Sequence, residues 1–206
     1  MNVEEIIGVL IGIIIVLIGV LIIYQYEKKG YLKWSNWDPY SSESTLLDNR
    51  TDEPREWRMK KLQEVAQKPN TDEKIINGVV GEFGEGMYLC VKKALELGFK
   101  VNIISGDSVY PERKEDLSKL IDEYPKSFNY FIINKYRPRH HFIFIGRDNI
   151  FIEVPHEVNQ KNKDSIGLNG AKPEIIQRLS KEYSKYYDRA QKANKSDISK
   201  LNVINV

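Results

Sequence analysis

The most apolar stretch of the chain is segment 6–24, which contains no charged residue and no Asn, Gln or Pro. A helix rises about 1.5 Å per residue, so a helix of this length would cross the roughly 30 Å hydrocarbon core of a bilayer. A cleaved signal peptide fits less well, because Glu4 and Glu5 precede the run and no small-residue cleavage site follows it. The pattern therefore predicts a transmembrane anchor within residues 1–27.

No basic residue precedes this apolar run, whereas Lys28, Lys29 and Lys33 follow it closely. Basic flanks are retained on the cytoplasmic side of a membrane. We therefore expect a single-pass protein of the cell membrane whose C-terminal domain is cytoplasmic. Gly8 and Gly12 form a GxxxG pair, a pattern through which two transmembrane helices can approach closely.

Beyond the anchor, a polar segment without apolar periodicity predicts a juxtamembrane linker at 28–55. After it, short apolar runs that predict strands alternate with segments of i, i+3, i+4, i+7 spacing that predict helices. The predicted helices are 57–67, 84–97, 111–124 and 173–194, and the predicted strands are 74–80, 100–105, 128–134, 141–145 and 150–154.

The resulting order, β-α-β-α-β-β-β-α, predicts an α/β fold with a mixed sheet. Early alternation implies parallel strands joined by right-handed crossovers, and the late hairpin adds antiparallel strands. The strands are apolar on both faces, so helices should cover both sides of the sheet. We expect one such domain at 56–195, followed by a tail at 196–206.

Charge and cysteine content restrict the class of function. The net charge is only +2, from 31 basic and 29 acidic residues, which argues against a bulk electrostatic grip on nucleic acid. Cys90 is the single cysteine, so no intrachain disulfide can form, in keeping with a reducing compartment. Because Cys90 falls on the apolar face of a predicted helix, the pattern favours a core position over a nucleophile.

A cluster of basic and aromatic side chains precedes the predicted hairpin. Pro138 restricts the residue before it to an extended conformation. In an extended segment Arg137, Arg139 and His141 alternate onto one face. Two guanidiniums beside an imidazole suit a phosphate group. The alternative is that the arginines are solvated and the histidines bond to loop carbonyls.

The hairpin itself brings distant residues together. If it turns at 148–149, His141 pairs opposite His156, because antiparallel strands align their opposite ends. A turn one residue longer or shorter moves this pairing by a residue or two. The prediction is that His141, His156, Arg139 and, depending on the register, Glu153 meet at one end of the sheet.

A glycine-rich loop lies between the first predicted strand and the helix after it, a position where phosphates often bind. It lacks the Gly-Lys-Ser/Thr ending and the GxGxxG order, and its two glutamates would repel an anion. A tight turn with close packing is the favoured interpretation. The glycines are Gly78, Gly81, Gly84 and Gly86.

The segment that begins at His141 resembles the motif HxKxxxxDxxxxxxGSxxN of the phospholipase D-like family. Isoleucine, Ile143, stands where that motif has lysine, and Pro155-His156 stands where it has Gly-Ser. Together with the order of strands and helices, residues 74–194 resemble one half of a phospholipase D-like domain. The positions in register are His141, Asp148 and Asn159.

In that family the histidine is the nucleophile that forms a phospho-enzyme intermediate, and the lysine binds the phosphate. The resemblance implies His141 as nucleophile with Asp148 as its companion. It also implies two motifs that meet across a homodimer, since this chain has one motif. No lysine is carried over, and the loss of one charge-stabilising donor costs roughly 3 kcal/mol or more. Arg139 or His156 would have to replace it.

We therefore predict a domain that binds a phosphate-containing ligand, a nucleic acid or a lipid head group, without efficient catalysis. The predicted catalytic positions are His141, Asp148 and His156, and the predicted ligand-binding positions are Arg137, Arg139, His140, Glu153 and Asn159.

No cofactor is expected. A zinc site is less favoured because the spacing matches no standard zinc motif; its ligands would be His140, His141, His156 and Glu153. The rival functions are an active phosphodiesterase or nuclease that uses His141 in a homodimer, and a protein-binding scaffold at the membrane.

Overall fold

The computed structural model describes residues 44–48, 50–153 and 164–204. The α-helices in this part of the chain are α1 Glu53–Ala66, α2 Glu85–Glu96, α3 Pro111–Glu123, α4 Pro173–Tyr187 and α5 Lys195–Ser199. The strands are β1 Ser44–Asp48, β2 Ile75–Val79, β3 Lys100–Gly106, β4 Ser108–Val109, β5 Phe128–Ile133, β6 His141–Ile145, β7 Asn149–Glu153, β8 Asp164–Leu168, β9 Gln191–Lys192 and β10 Asn202–Val203.

Eight of these strands form one mixed sheet in the order β1-β8-β7-β6-β2-β3-β5-β9. Strands β2, β3 and β5 are parallel, and the remaining pairs are antiparallel. Helices α2 and α3 supply the crossovers that parallel neighbours require. The predicted mixed α/β sheet flanked by helices is confirmed. The carboxyl ends of β2, β3, β5 and β7 meet the amino end of β6 at one edge of the sheet.

Helices α1, α2 and α3 cover one face of this sheet. The spacing of α2 directs Cys90, Val91, Ala94 and Leu95 inward, and all four are buried. Burial of a side chain of the size of Val91 or Leu95 stabilises the fold by about 1.5–3 kcal/mol. Cys90 is fully buried, and burial raises the pKa of its thiol, so the predicted core position is confirmed. The strand residues in the same core include Ile76, Val101, Ile103, Tyr130, Ile143 and Phe151.

Helix α4 lies over the opposite face, where Tyr187 packs edge-on against Phe131 with ring centroids 5.0 Å apart. A row of asparagines crosses three strands on this face. Asn102 Nδ2 donates to Asn77 Oδ1 at 2.9 Å, and Asn129 Nδ2 donates to Asn102 Oδ1 at 2.8 Å. Helices therefore cover both faces, as the apolar strands predict.

Two segments that the sequence predicts to be irregular contain regular structure. Strand β1 lies within the predicted linker 28–55 and pairs antiparallel with β8, which the pattern also does not predict. In the predicted tail 196–206, β10 pairs with β4, and Ile198 and Leu201 are buried. Helix α4 ends at Tyr187, short of position 194. These elements are short and pair with distant segments, so local periodicity gives no signal for them.

The predicted membrane anchor, segment 6–24, lies outside the described residues. Within the described ranges, none of the helices has both the length and the apolar composition that crossing a bilayer requires.

Candidate functional site

The register of the β6–β7 hairpin decides what stands beside His141. Ile145 pairs with Asn149, and His141 pairs with Glu153. The turn at 146–148 is shorter than predicted because Gly146, at φ 72°, adopts the left-handed conformation that closes it. The predicted pairing of His141 with His156 is therefore wrong. His156 and Asn159 lie outside the described residues.

His141 is held at the edge of the sheet by hydrogen bonds on both sides of its ring. The side chain is only 4% exposed. Its Nδ1 lies 3.2 Å from Glu153 Oε2, and its Nε2 lies 3.0 Å from the carbonyl oxygen of Pro138. A carbonyl oxygen can only accept, so Nε2 must carry the hydrogen of that bond.

This arrangement determines what the imidazole can do. If Nδ1 also carries a hydrogen, it donates to the Glu153 carboxylate; if Glu153 is protonated, its hydroxyl donates to Nδ1. In either case both ring nitrogens are engaged in hydrogen bonds. A nucleophile needs an available nitrogen lone pair. In this conformation the His141 ring has no available lone pair, and attack through Nε2 would require both that the Pro138 carbonyl move away and that Nε2 lose its hydrogen.

Arg137 lies beside this imidazole and is bound to Glu82. Its Nε and Nη2 lie 2.9 and 2.7 Å from Glu82 Oε2, and Glu82 is 8% exposed. Gly81 makes this convergence possible: a Cβ there would lie 2.6 Å from His141 Cε1 and 2.8 Å from Arg137 Nε. Close packing of the glycine-rich loop, favoured from the sequence, is confirmed at this position.

The other predicted ligand-binding residues of this loop point elsewhere. Arg139 is exposed and does not line the cleft that contains His141. His140 is half-buried against α4, where its Nδ1 lies 3.4 Å from the Tyr186 hydroxyl and 3.8 Å from Glu182 Oε1. Burial lowers the pKa of His140, and the Glu182 carboxylate opposes that shift. Of the predicted cradle, Arg137 and His141 lie side by side and Arg139 does not join them; neither arginine is among the residues that line the cleft at His141.

His141 opens into a cleft of about 330 Å³ at the carboxyl edge of the sheet. The first turn of α2 forms one wall, with Gly84 as its N-cap. Tyr110 forms another part of the lining, and burial raises the pKa of its phenol. The charged or titratable lining groups are Arg58, Glu82, Glu85, Tyr110, Glu112, His141 and Glu153. Open α/β sheets place ligands at such carboxyl ends.

Arg58 is the lining residue that the sequence pattern missed. It lies in α1 and is 6% exposed, with Nη2 3.5 Å from the Gly86 carbonyl oxygen. Its guanidinium carbon lies 4.4 Å from the centre of the Phe151 ring. The signal that could have found it is its spacing: Arg58 lies four residues before Leu62 and seven before Val65, on the buried face of α1, whereas Arg55 and Lys60 are exposed.

Two motif positions do not join the cleft. Asp148 lies in the turn, at the other end of β6 from His141; at about 3.3 Å per strand residue, the strand alone separates them by roughly 13 Å. The predicted companion role of Asp148 would thus require contact across that length. Ile143 stands where the family motif has lysine, is 1% exposed and belongs to the core.

No group of three His, Cys, Asp or Glu side chains with the geometry of a metal site occurs among the residues that the structure describes. Of the zinc ligands considered above, His141 and Glu153 are bonded to each other, whereas His140 faces α4. The remaining one, His156, lies outside those residues.

Comparisons with known proteins bear on the fold. No protein-family model and no curated protein sequence matches this chain. Among solved structures, it is similar to Nuc from Salmonella typhimurium, a phospholipase D family member, with TM-score 0.53 and 6% identity, over 73% of this chain and 97% of that one. It is also similar to phosphatidylserine synthase from Haemophilus influenzae Rd KW20, with TM-score 0.53 and 12% identity, over 75% of this chain and 41% of that one.

A third similar structure is TrmBL2, an archaeal chromatin protein, with TM-score 0.50 and 10% identity, over 86% of this chain and 65% of that one. Identities this low establish the fold alone. The domain has a phospholipase D-like fold, in agreement with the resemblance seen in the sequence.

Proposed function

We propose that this domain binds a phosphate-containing ligand, of the phosphodiester class, in the cleft beside His141 and does not turn it over efficiently. The observation that carries the proposal is the fixed imidazole of His141 at the carboxyl edge of a phospholipase D-like sheet, bonded to Glu153 and Pro138. The proposal rests on this geometry and on the fold similarity to proteins of the phospholipase D family.

The carboxylates around the cleft disfavour a ligand with several negative charges. Glu82 and Glu153 are bonded to Arg137 and His141 respectively. Glu85 and Glu112 are exposed at the rim, where they would repel a polyanion such as an oligonucleotide. A phosphodiester group carries one negative charge, and hydroxyl or amino substituents on it would find acceptors in the rim carboxylates.

Two observations support binding without efficient turnover. Both ring nitrogens of His141 are engaged in hydrogen bonds. The motif lysine is absent: Ile143 stands at its position, and this side chain is buried in the core. An absent charge-stabilising donor costs roughly 3 kcal/mol in the transition state.

The rival function, an active phosphodiesterase, has one observation in its favour. If Nδ1–H donates to the Glu153 carboxylate, Nε2 is the nitrogen that would attack once it has lost its hydrogen to solvent and the Pro138 carbonyl has moved away. Because the chain has one motif, that activity would need a homodimer, and we propose the homodimer as part of this rival only.

We further propose that segment 6–24 anchors the chain in the cell membrane and that the domain lies on the cytoplasmic side. The support is the uncharged apolar run and the lysines that follow it. Cysteine accessibility on intact cells tests the orientation. In the Ser41→Cys variant, a membrane-impermeant thiol reagent should label position 41 only after the cells are broken. Labelling of this position in intact cells would contradict the proposal.

The binding proposal is tested with the full-length chain in detergent micelles. Bis-p-nitrophenyl phosphate is titrated in a calorimeter, and release of p-nitrophenol is followed in parallel. We expect saturable binding and no release above buffer. Absence of binding would refute the proposal. If p-nitrophenol is released by the wild type and not by His141→Ala, the domain is an active phosphodiesterase and the binding proposal is wrong. If an oligonucleotide binds more tightly than the phosphodiester, the charge argument is wrong.

A further inference from the structure

Arg58 is buried without an acidic partner in the described part of the chain. It is 6% exposed, its Nη2 makes one long contact, 3.5 Å, to the Gly86 carbonyl, and its Nε has no hydrogen-bond partner. The other stabilising contact is the face of the Phe151 ring, 4.4 Å from the guanidinium carbon. A buried charge is costly unless it is paired.

Other arginines of the domain show the contrast. Arg137 forms an ion pair with Glu82 at 2.7 Å, and Arg113 forms one with Asp116 at 2.7 Å. Arg58 forms no ion pair with any described carboxylate, although four glutamates line the same cleft. A buried arginine in this setting indicates that the ligand supplies the anionic group that pairs with it.

The first turn of α2 adds a second favourable element. A helix N-terminus presents backbone N–H groups without intrahelical partners and the positive end of the helix dipole. Gly84, the N-cap, offers no side chain to bond them, and Glu85, the acidic residue of this turn, is exposed to solvent, which screens its repulsion of an anion. A Cβ at Gly86 would lie 3.0 Å from Arg58 Nη2, so glycine lets the guanidinium approach this turn closely.

We propose that Arg58 and the first turn of α2 together bind a phosphoryl oxygen of the ligand. This inference rests on the proposed function and supplies the cation that Ile143 does not. The bonded carboxylates of Glu82 and Glu153 remain paired within the protein. The single phosphate charge therefore meets a guanidinium for which the described residues provide no acidic partner.

The test compares Arg58→Met, Arg58→Lys and Arg55→Met in the full-length chain in detergent. Arg55 lies on the same helix and is exposed, so it is the matched control. Bis-p-nitrophenyl phosphate is titrated calorimetrically into each. We expect binding at least about tenfold weaker in Arg58→Met, which corresponds to ~1.4 kcal/mol, a smaller loss in Arg58→Lys, and an unchanged Kd in Arg55→Met.

A second measurement separates this role from a structural one. The thermal midpoint of unliganded Arg58→Met should equal or exceed that of the wild type, because an unpaired buried charge is removed. A lower midpoint together with an unchanged Kd would assign Arg58 to packing and overturn the inference. A Kd within about twofold of wild type in both Arg58 variants would also overturn it while leaving the proposed function in place. If the wild type itself does not bind, both fail together.

Discussion

Gly81 is the position where a single methyl group should disturb the site most. A Cβ there would lie 2.6 Å from His141 Cε1 and 2.8 Å from Arg137 Nε. Arg137 can shift, because its side chain is long and 28% exposed. The His141 ring cannot shift without breaking its bonds to Glu153 and Pro138. Gly81→Ala should therefore displace the imidazole.

The magnitude follows from overpacking and from the two bonds at risk. Forcing an extra methyl group into a packed site typically costs about 1–3 kcal/mol. Each lost hydrogen bond adds about 0.5–1.5 kcal/mol where no water replaces it. We expect Gly81→Ala to lower the free energy of unfolding by about 2–6 kcal/mol, the upper end if both bonds are lost, and to weaken binding of bis-p-nitrophenyl phosphate.

A double-mutant cycle isolates the cause. Urea unfolding of wild type, Gly81→Ala, His141→Ala and the double variant gives the coupling between the two positions. Removing the imidazole makes room for the new methyl group, so Gly81→Ala should cost at least about 1 kcal/mol less in the His141→Ala background. Equal costs in both backgrounds would refute the reasoning, because the methyl group would then clash with something other than His141.

Two further predictions concern other parts of the domain. A Cβ at Gly167 would lie 2.8 Å from Trp57 Cδ2, so Gly167→Ala should lower the free energy of unfolding by about 1–3 kcal/mol in urea; a loss below about 0.5 kcal/mol would show that β8 does not hold Trp57. The pKa of His140 is lowered in the folded state, so its contribution to stability is present above the unfolded pKa of about 6.5 and is lost as the pH falls through the folded pKa. The thermal midpoint of wild type should therefore fall more than that of His140→Gln between about pH 7.5 and pH 5, and parallel profiles would contradict this.

The elements that periodicity predicts are those whose neighbours in sequence are also neighbours in space. Helix α2 ends near Gly98, as predicted, because that glycine takes a φ of 80°. The strands β2, β3 and β5 follow the early alternation of helix and strand. Strands β1 and β8 pair across more than a hundred residues, so no local pattern could indicate their partnership.

The site was predicted only in part, because some of its contacts join sequence neighbours and others join distant segments. Arg137 and His141 converge beside Gly81, as the predicted shared face requires, but Arg139 between them does not join, so simple alternation describes this loop only in part. Glu153 reaches His141 through a hairpin register that depends on the conformation of Gly146, and a turn of uncertain length cannot fix that register. Helical spacing places Arg58 on the buried face of α1 with Leu62 and Val65, but the cleft that this face meets is set by tertiary packing, which spacing does not contain.

The central claim is that the cleft at His141 binds a phosphodiester without cleaving it. The most direct measurement is NMR of the full-length chain in detergent, with ¹⁵N-labelled histidine, during titration with bis-p-nitrophenyl phosphate. The chain has three histidines, and His141→Gln identifies the ring signals of His141. We expect a saturable shift of those signals and no p-nitrophenol in the proton spectrum. Unchanged His141 signals at saturating phosphodiester, or p-nitrophenol that accumulates with time, would contradict it.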